Sequence, residues 1–497
     1  MGTTPVAPCE PAGHRVTGAV TFWVAAATPC WRDCYAPALD HDVLGRSAMS
    51  RSWLAAILMV GCVPSQSAVF DPVDHEVKRR LGVDVVWRAP DDSRAAGAIQ
   101  EMLQKPIDLD AAVRIALAGN RHLQARFEDL GVAASEIASA TVLPPAQVDV
   151  DRKFGLNGSG NETELVVVQD VLSLIQIGQR RGIAKAELAA VRARAVAATV
   201  ELAGRVEIAF DNAVAAQQQL ELVQTAFAAA DAAASLVERQ YAAGNTTDLA
   251  LAREREQRER MRVEIARSEQ DLEQARARLG AMLGLMSEQK TWTTVGRLAE
   301  PPATAMSLDD LEQVAQTANL DAAALRADAE AAVAKHRYAV IRAIVPELGI
   351  GVAAARRESS AWEVGPAVRI GIPLFDQQQG PRARALAEER RANHELAATR
   401  ADVHGEVVAV RSRALQAFAE TRQLLDVVLP LRQKVLDETV LQYNAMNATT
   451  FELLMARRDI VDAGRQYIDA LRRYWDAMAE VKALQRGARA SARMEMP

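Results

Sequence analysis

A heptad seam written twice, about two hundred residues apart, constrains this chain more than any other feature. Ala195, Leu202, Ala209, Ala216, Val223, Ala230 and Val237 lie seven apart, and Thr199, Val206, Ala213, Leu220, Phe227, Ala234 and Tyr241 follow each by four. Spacings that alternate between four and three make an a/d coiled-coil seam. Adding 201 to the first six leading positions lands on Leu396, Val403, Val410, Ala417, Leu424 and Leu431. The register survives duplication, which predicts two tandem repeats. Between Gln179 and Tyr241 the first helix would run on the order of 95 Å at about 1.5 Å per residue. Aromatic residues are only 4% of a chain that is 49% hydrophobic, so these seams are built from small side chains that let helices approach closely.

Each long helix then meets a turn and reverses. The first turn is Tyr241 to Leu249, with Gly244 inside it; the second is Tyr443 to Leu454, with Met446 at the corresponding place. Returning helices are predicted from Leu249 to Leu285 and from Phe451 to Gln485. Pro381 suits the first position of the second long helix, whereas Pro430 falls deep inside it and predicts a kink.

The repeats also begin alike. Leu109-Asp110 precedes Gly119-Asn120, and 199 positions later Leu308-Asp309 precedes Ala318-Asn319. Both open an amphipathic helix, with Asp110 and Asp309 in the first turn, where a carboxylate meets the positive end of the helix dipole. Those helices end near Pro144-Pro145 and Pro346. The apolar period then falls to two. Leu348, Ile350, Val352 and Ala354 alternate with small residues; after the polar turn Arg356–Ser360, Val364, Val368, Ile370 and Ile372 do the same. This is a hairpin with one apolar face. The first copy has less regular strands at Gln147–Phe154 and Thr163–Val171 around the turn Asn157–Asn161. Each run approaches the roughly 9 to 11 residues of a tilted membrane strand. No uninterrupted apolar run of about 20 residues follows residue 62, so any membrane crossing is expected to use strands.

The cysteines are Cys9, Cys30, Cys34 and Cys62. Met49-Ser50-Arg51-Ser52, the apolar stretch Trp53–Val60 and Gly61-Cys62 form a positive, then hydrophobic, then small-residue series. This resembles a bacterial lipoprotein signal, with Met59 where leucine is usual, and implies Cys62 as the lipidated first mature residue. Residues 1–48 read as a spurious or disordered extension, with Met49 as initiator. The alternative, a domain whose Cys30 and Cys34 bind metal or form a disulfide, lacks helix-forming neighbours.

Lys plus Arg number 58 against 64 Asp plus Glu, a net charge of −6 with interleaved signs, which gives nucleic-acid binding no electrostatic support. No phosphate loop is present. Asp74-His75-Glu76 carries metal-capable side chains, but it lies in an irregular tether with adjacent side chains diverging. His122, His336, His394 and His404 stand singly on helices. No catalytic residue, metal site or cofactor is expected.

Taken together, the tandem repeats, the strand pairs, the tyrosine-led helical turns and the lipoprotein cysteine resemble the TolC-type outer-membrane efflux channel family, over roughly Leu109 to Leu484. The resemblance implies a mainly α fold with a small β part: two repeats of long antiparallel coiled-coil helices plus strand hairpins, trimerising into a helical tunnel under a 12-stranded barrel. It implies a signal at 49–61, a tether at 62–106, repeats at 107–300 and 301–488 and a disordered tail at 489–497. It further implies a homotrimer in outer-membrane lipid, opened by an inner-membrane pump and a periplasmic adaptor. Asp248 and Glu452 match the carboxylates at the family's periplasmic constriction, with Met455 replacing a second acidic position. Tyr241, Gly244, Tyr443 and Met446 mark the tips that would meet the adaptor; Met446 stands where a glycine is usual. The competing readings are a non-pore periplasmic coiled-coil protein, which needs no apolar-faced strand pairs, and the channel of a type I protein-secretion system, which shares the whole architecture. With 13 Met and 7 His in 497 residues, composition argues for no particular cargo.

Overall fold

The computed structural model describes residues 64–88, 93–154, 161–285, 292–344, 346–357, 360–372 and 377–489. The extension 1–48, the signal, Cys62, most of the Asn157–Asn161 turn and residues 490–497 lie outside the described residues. Helix α1 (Gln66–Leu81) and α2 (Ser93–Leu103) replace the expected irregular tether. Val69, Phe70, Val73 and Val77 bury one face of α1 in the core. Asp74 accepts a hydrogen bond from the Val85 amide at 2.8 Å, and Glu76 pairs with Arg79 and Arg80, each at 2.6 Å. These side chains are therefore occupied in stabilising a helix. Among the described residues no group of His, Cys, Asp and Glu is arranged to hold a metal.

The opening helix of each repeat is broken where one helix was expected. α3 (Leu109–Gly119) gives way to α4 (Arg121–Thr141) at Asn120, and α7 (Leu311–Ala318) to α8 (Leu320–Ile344) at Asn319. Each asparagine accepts from the amide three residues on, Leu123 at 3.1 Å and Ala322 at 2.6 Å. That is N-cap chemistry, which starts a new helix. Asp110 sits in the first turn of α3 as expected, but Asp309 precedes α7 and instead pairs with Arg411 at 2.8 Å. The breaks accept the ends of the returning helices. Gly284 (φ +72°) follows the first, and a Cβ there would stand 2.4 Å from the Gly119 carbonyl oxygen; at Gly487 (φ +87°) a Cβ would stand 2.0 Å from that of Ala318. Arg80 secures the second junction by donating to the Ala318 and Arg486 carbonyls at 2.9 and 2.5 Å.

Strands β1 (Gln147–Lys153), β2 (Glu162–Asp170), β3 (Leu348–Arg357) and β4 (Glu363–Ile370) form one antiparallel sheet in the order β1-β2-β3-β4. The two hairpins thus join through β2 and β3. Register sets the faces: Val150 opposes Leu165, Leu165 opposes Ala354, and Ala354 opposes Val364. Val148, Val150, Ile350, Val352, Val364, Val368 and Ile370 share that apolar face, and each is more than half exposed. The other face carries Asp149, Asp151, Glu162, Glu164, Glu363 and Arg369. Arg369 on β4 pairs with Asp149 on β1. In a flat sheet these strands would stand about 14 Å apart, at roughly 4.8 Å per spacing, so the sheet curls toward its polar side. β1 and β4 are open edges.

Helix α5 (Leu172–Ala242) has 71 residues and starts directly after β2, before the predicted Gln179. Among the described residues it is the helix long and apolar enough to cross a membrane by length and composition. At about 105 Å it far exceeds a bilayer core of roughly 30 Å. Its heptad seam supplies the alternative: Ala195, Thr199, Leu202, Val206, Ala209, Ala213, Leu220 and Val223 are buried against partner helices. α5 pairs with α6 (Asp248–Leu283). The second hairpin has α9 (Gln379–Gln423), a π-helical turn (Leu424–Val428), α10 (Leu429–Asn444) and α11 (Thr450–Gln485). Pro381 occupies the third position of α9, because the helix begins at Gln379; its missing N–H is still harmless in the first turn. The expected kink at Pro430 takes the form of the π turn, whose extra residue rotates everything after it. Val403, Val410, Ala417 and Leu424 are buried as the seam requires, whereas Leu431, the next member, is exposed and α10 buries none of its residues.

One seam of the coiled coil is strongly charged. On α5, Glu207 is buried and accepts from Lys482 at 3.3 Å and Arg486 at 2.8 Å. Arg472 donates to Asp476 at 2.9 Å and Asn212 at 3.0 Å. Burial, with repulsion from Asp476, pushes Asp211 up to about 7. Burial pushes Asp476 up to about 6 against the pull of Arg472. At the far end Arg489 pairs with Asp402 and Glu406 at 3.2 and 3.1 Å, so the first residue of the expected disordered tail is fixed. His336 meets Glu389 at 3.0 Å and His404 meets Glu312 at 2.8 Å.

Candidate functional site at the helical tips

The two hairpins end in turns of the same geometry despite different sequences. In the first, the Gly244 amide donates to Tyr241 O at 2.9 Å and Asn245 to Gln240 O at 2.8 Å; in the second, Met446 donates to Tyr443 O at 3.0 Å and Asn447 to Gln442 O at 2.8 Å. Both turns need a left-handed residue at the third place after tyrosine. Gly244 takes it at φ +76°, where a glycine has no Cβ to clash; Met446 takes it at φ +60° at a steric cost. The Met446 side chain is 94% exposed.

Threonines then cap the returning helices. The Thr247 hydroxyl accepts from the Ala250 amide at 3.3 Å. Thr449 and Glu452 form a reciprocal capping box: Glu452 N–H donates to Thr449 Oγ1 at 3.2 Å while the Thr449 amide donates to Glu452 Oε2 at 2.6 Å. That amide, with the Thr449 hydroxyl, holds the Glu452 carboxyl below its ordinary range. Thr-x-x-Glu before an apolar run is the sequence signature of such a box, which the sequence reading above does not use. Asp248 is exposed in the first turn of α6 and accepts from the Tyr241 hydroxyl, which raises that phenol's pKa. Both predicted carboxylates therefore serve helix ends, and both are exposed at the tips. A contact with no sequence signal links the two tips: the Arg253 guanidinium lies 5.7 Å from the Phe451 ring centroid.

No family profile matches the chain. Among curated proteins it is 23% identical over 371 residues to the cobalt-zinc-cadmium resistance protein CzcC of Cupriavidus metallidurans, covering 72% of this chain and 85% of that one. It is 26% identical over 365 residues to the pyoverdine export outer membrane protein OpmQ of Pseudomonas putida, covering 68% and 75%. Among solved structures, a membrane protein from Pseudomonas aeruginosa aligns with a TM-score of 0.62 at 18% identity, over 76% of this chain and 93% of that one. The CmeC outer membrane channel of Campylobacter jejuni aligns with a TM-score of 0.61 at 15% identity, over 77% and 86%. The chain has the fold of the TolC-type outer-membrane channels. The outer membrane protein VceC of Vibrio cholerae, with a TM-score of 0.59 at 16% identity, extends the match to 81% of this chain and 98% of that one.

Proposed function

We propose that this chain is the exit duct of a tripartite efflux system, a lipid-anchored outer-membrane channel that conducts substrates passively from an inner-membrane pump and a periplasmic adaptor to the exterior. The observation that carries the reading is the sheet: one exposed apolar face, one charged face on the curled side, and two open edges. Lipid does not tolerate unpaired strand edges. Pairing β4 of one copy with β1 of the next, around three copies, gives 4 × 3 = 12 strands and removes every edge. A periplasmic coiled-coil protein that never formed a pore would have no use for such a sheet. The names of CzcC and OpmQ speak of cobalt-zinc-cadmium resistance and of pyoverdine export, two different cargoes, so the likeness supports a conduit rather than a particular cargo.

At the tunnel mouth, three copies each of Asp248 and Glu452 would ring the axis, where like charges within about 8 Å repel one another and draw in cations. Cys62 would carry the lipid anchor, and Tyr241, Gly244, Tyr443 and Met446 would present the tips to the adaptor. The test is planar-bilayer conductance of the purified protein beside the Asp248→Asn, Glu452→Gln double variant. We expect currents from wild type, an unchanged trimer yield in the variant, and a weaker cation preference with weaker block by multivalent cations. Absence of current in wild type overturns the channel reading. Identical selectivity and block in the variant assigns both carboxylates to capping alone.

A further inference from the structure

Between the α5–α6 hairpin and the α10–α11 hairpin lies a groove of about 730 Å³, within the roughly 300 to 1,000 Å³ of small-molecule sites. Its α5 wall is made of Ala226, Ala229 and Ala233, which leave it wide, and Leu222, Leu236 and Met261 make its surface apolar. Glu254 of α6 lines this groove with only 3% of its surface exposed. Its Oε2 atom is buried and has no hydrogen-bond partner. A carboxylate oxygen in that state is costly unless a donor reaches it.

Three of the four arginines that line the groove are held in ion pairs, Arg260 with Glu256 among them. Arg465 pairs with Glu264 at 3.2 Å and Arg458 with Asp462 at 3.5 Å. Arg457 attracts Glu254 electrostatically, yet burial still raises the Glu254 carboxyl above its ordinary value.

We infer that this groove binds a small amphipathic monocation, its apolar body against the alanine and leucine wall and its protonated amine donating to Glu254 Oε2. Charge complementarity selects the occupant. The buried carboxylate oxygen lacks a donor, the alanine and leucine wall suits an apolar body, and a second positive charge would add to the four arginines of the lining, Arg260, Arg457, Arg458 and Arg465. Such a site depends on neither the barrel nor the cargo, and its occupant would hold the two hairpins in fixed separation.

The experiment titrates the full-length protein in detergent with 2-naphthylmethylammonium, read by naphthyl fluorescence, and with the neutral isostere 2-naphthylmethanol. We expect saturable binding at one site per chain, and binding of the neutral probe weaker by roughly tenfold or more. Glu254→Gln, which keeps the shape and removes the charge, should weaken the cation by a similar factor while leaving the neutral probe unchanged. Ala229→Leu, which narrows the groove and spares the carboxylate, should weaken both probes; retained helical circular dichroism shows that either variant is folded. Equal affinity for the two probes, unchanged affinity in Glu254→Gln, or no saturable binding because a second copy or a partner helix fills the groove would overturn the assignment.

Discussion

Replacing Asp211 with Asn should stabilise the coiled coil, and by an amount that depends on pH. The ordinary aspartate value of 3.8 is raised to about 7 by burial and by Asp476. A folded state that holds a proton the unfolded chain has released loses stability as pH rises between those two values. Below about pH 3.8 both states are protonated and nothing is lost. Above about pH 7 the loss is complete, and a shift of about three units at roughly 1.4 kcal/mol each sets its upper bound near 4 kcal/mol. Relaxation of the seam, where Lys482 already offsets part of the charge, makes about 2 to 4 kcal/mol the expected gain. Asn keeps the shape and cannot ionise. Guanidinium unfolding followed by helical circular dichroism should therefore show the variant more stable at pH 8 and nearly equal to wild type at pH 4. An equal offset at both pH values, or a variant less stable at pH 8, would refute the account of this seam.

Gly284→Ala should cost about 2 to 4 kcal/mol, because the new Cβ strains a positive φ and meets the Gly119 carbonyl at 2.4 Å; the same unfolding assay measures it, and a neutral result would mean the helix break does not need this docking. Met446→Gly should stabilise the second tip by about 1 kcal/mol by relieving its left-handed backbone, seen as slower amide exchange around Asn447 in hydrogen-exchange mass spectrometry. Ile370→Arg on the apolar face should impair membrane insertion by roughly 2 to 4 kcal/mol near mid-bilayer, whereas Arg369→Gln on the polar face, losing a partly exposed pair with Asp149, should reduce the yield of inserted protein little. If heat-resistant trimer yields fall alike in both, the face assignment is wrong.

Much of this architecture was legible because it rests on periodicity. The heptad seam from Ala195 and the alternation from Leu348 are long enough for their periods to stand out; the structure buries the seam from Ala195 to Ala213 and exposes Ile350 and Val352, while toward the tip Ala230 and Val237 are half-buried and Tyr241 is exposed. The breaks at Asn120 and Asn319 were written in the repeated Gly-Asn and Ala-Asn pairs, but an asparagine within a helical pattern reads as a tolerated surface residue until its side chain is seen capping the next helix. Leu431 was misplaced because a π turn adds a residue to the register without altering composition; Pro430 alone signalled it. Helix α1 was hidden by Pro72 inside it and by its charged middle, whereas its four buried residues show the packing that holds it. At the tips, Thr449-x-x-Glu452 carries the signature of a capping box that the reading of Glu452 as a constriction carboxylate passes over, while the positive φ of Met446 could be inferred only from its offset after Tyr443, equal to that of Gly244 after Tyr241. Burial of Glu254 depends on how two hairpins meet, which no local pattern encodes.

The central claim, three sheets closed into one barrel with the charged face inward, is tested most directly by thiol modification of single channels. Ala367 and Val368 are adjacent on β4 and lie on opposite faces by register. With Cys introduced at one position or the other, a membrane-impermeant sulfonatoethyl methanethiosulfonate should lower the current of the Ala367→Cys channel in three steps, one for each copy, and leave the Val368→Cys channel unchanged. Fewer than three steps, or the same response at both positions, would contradict the account.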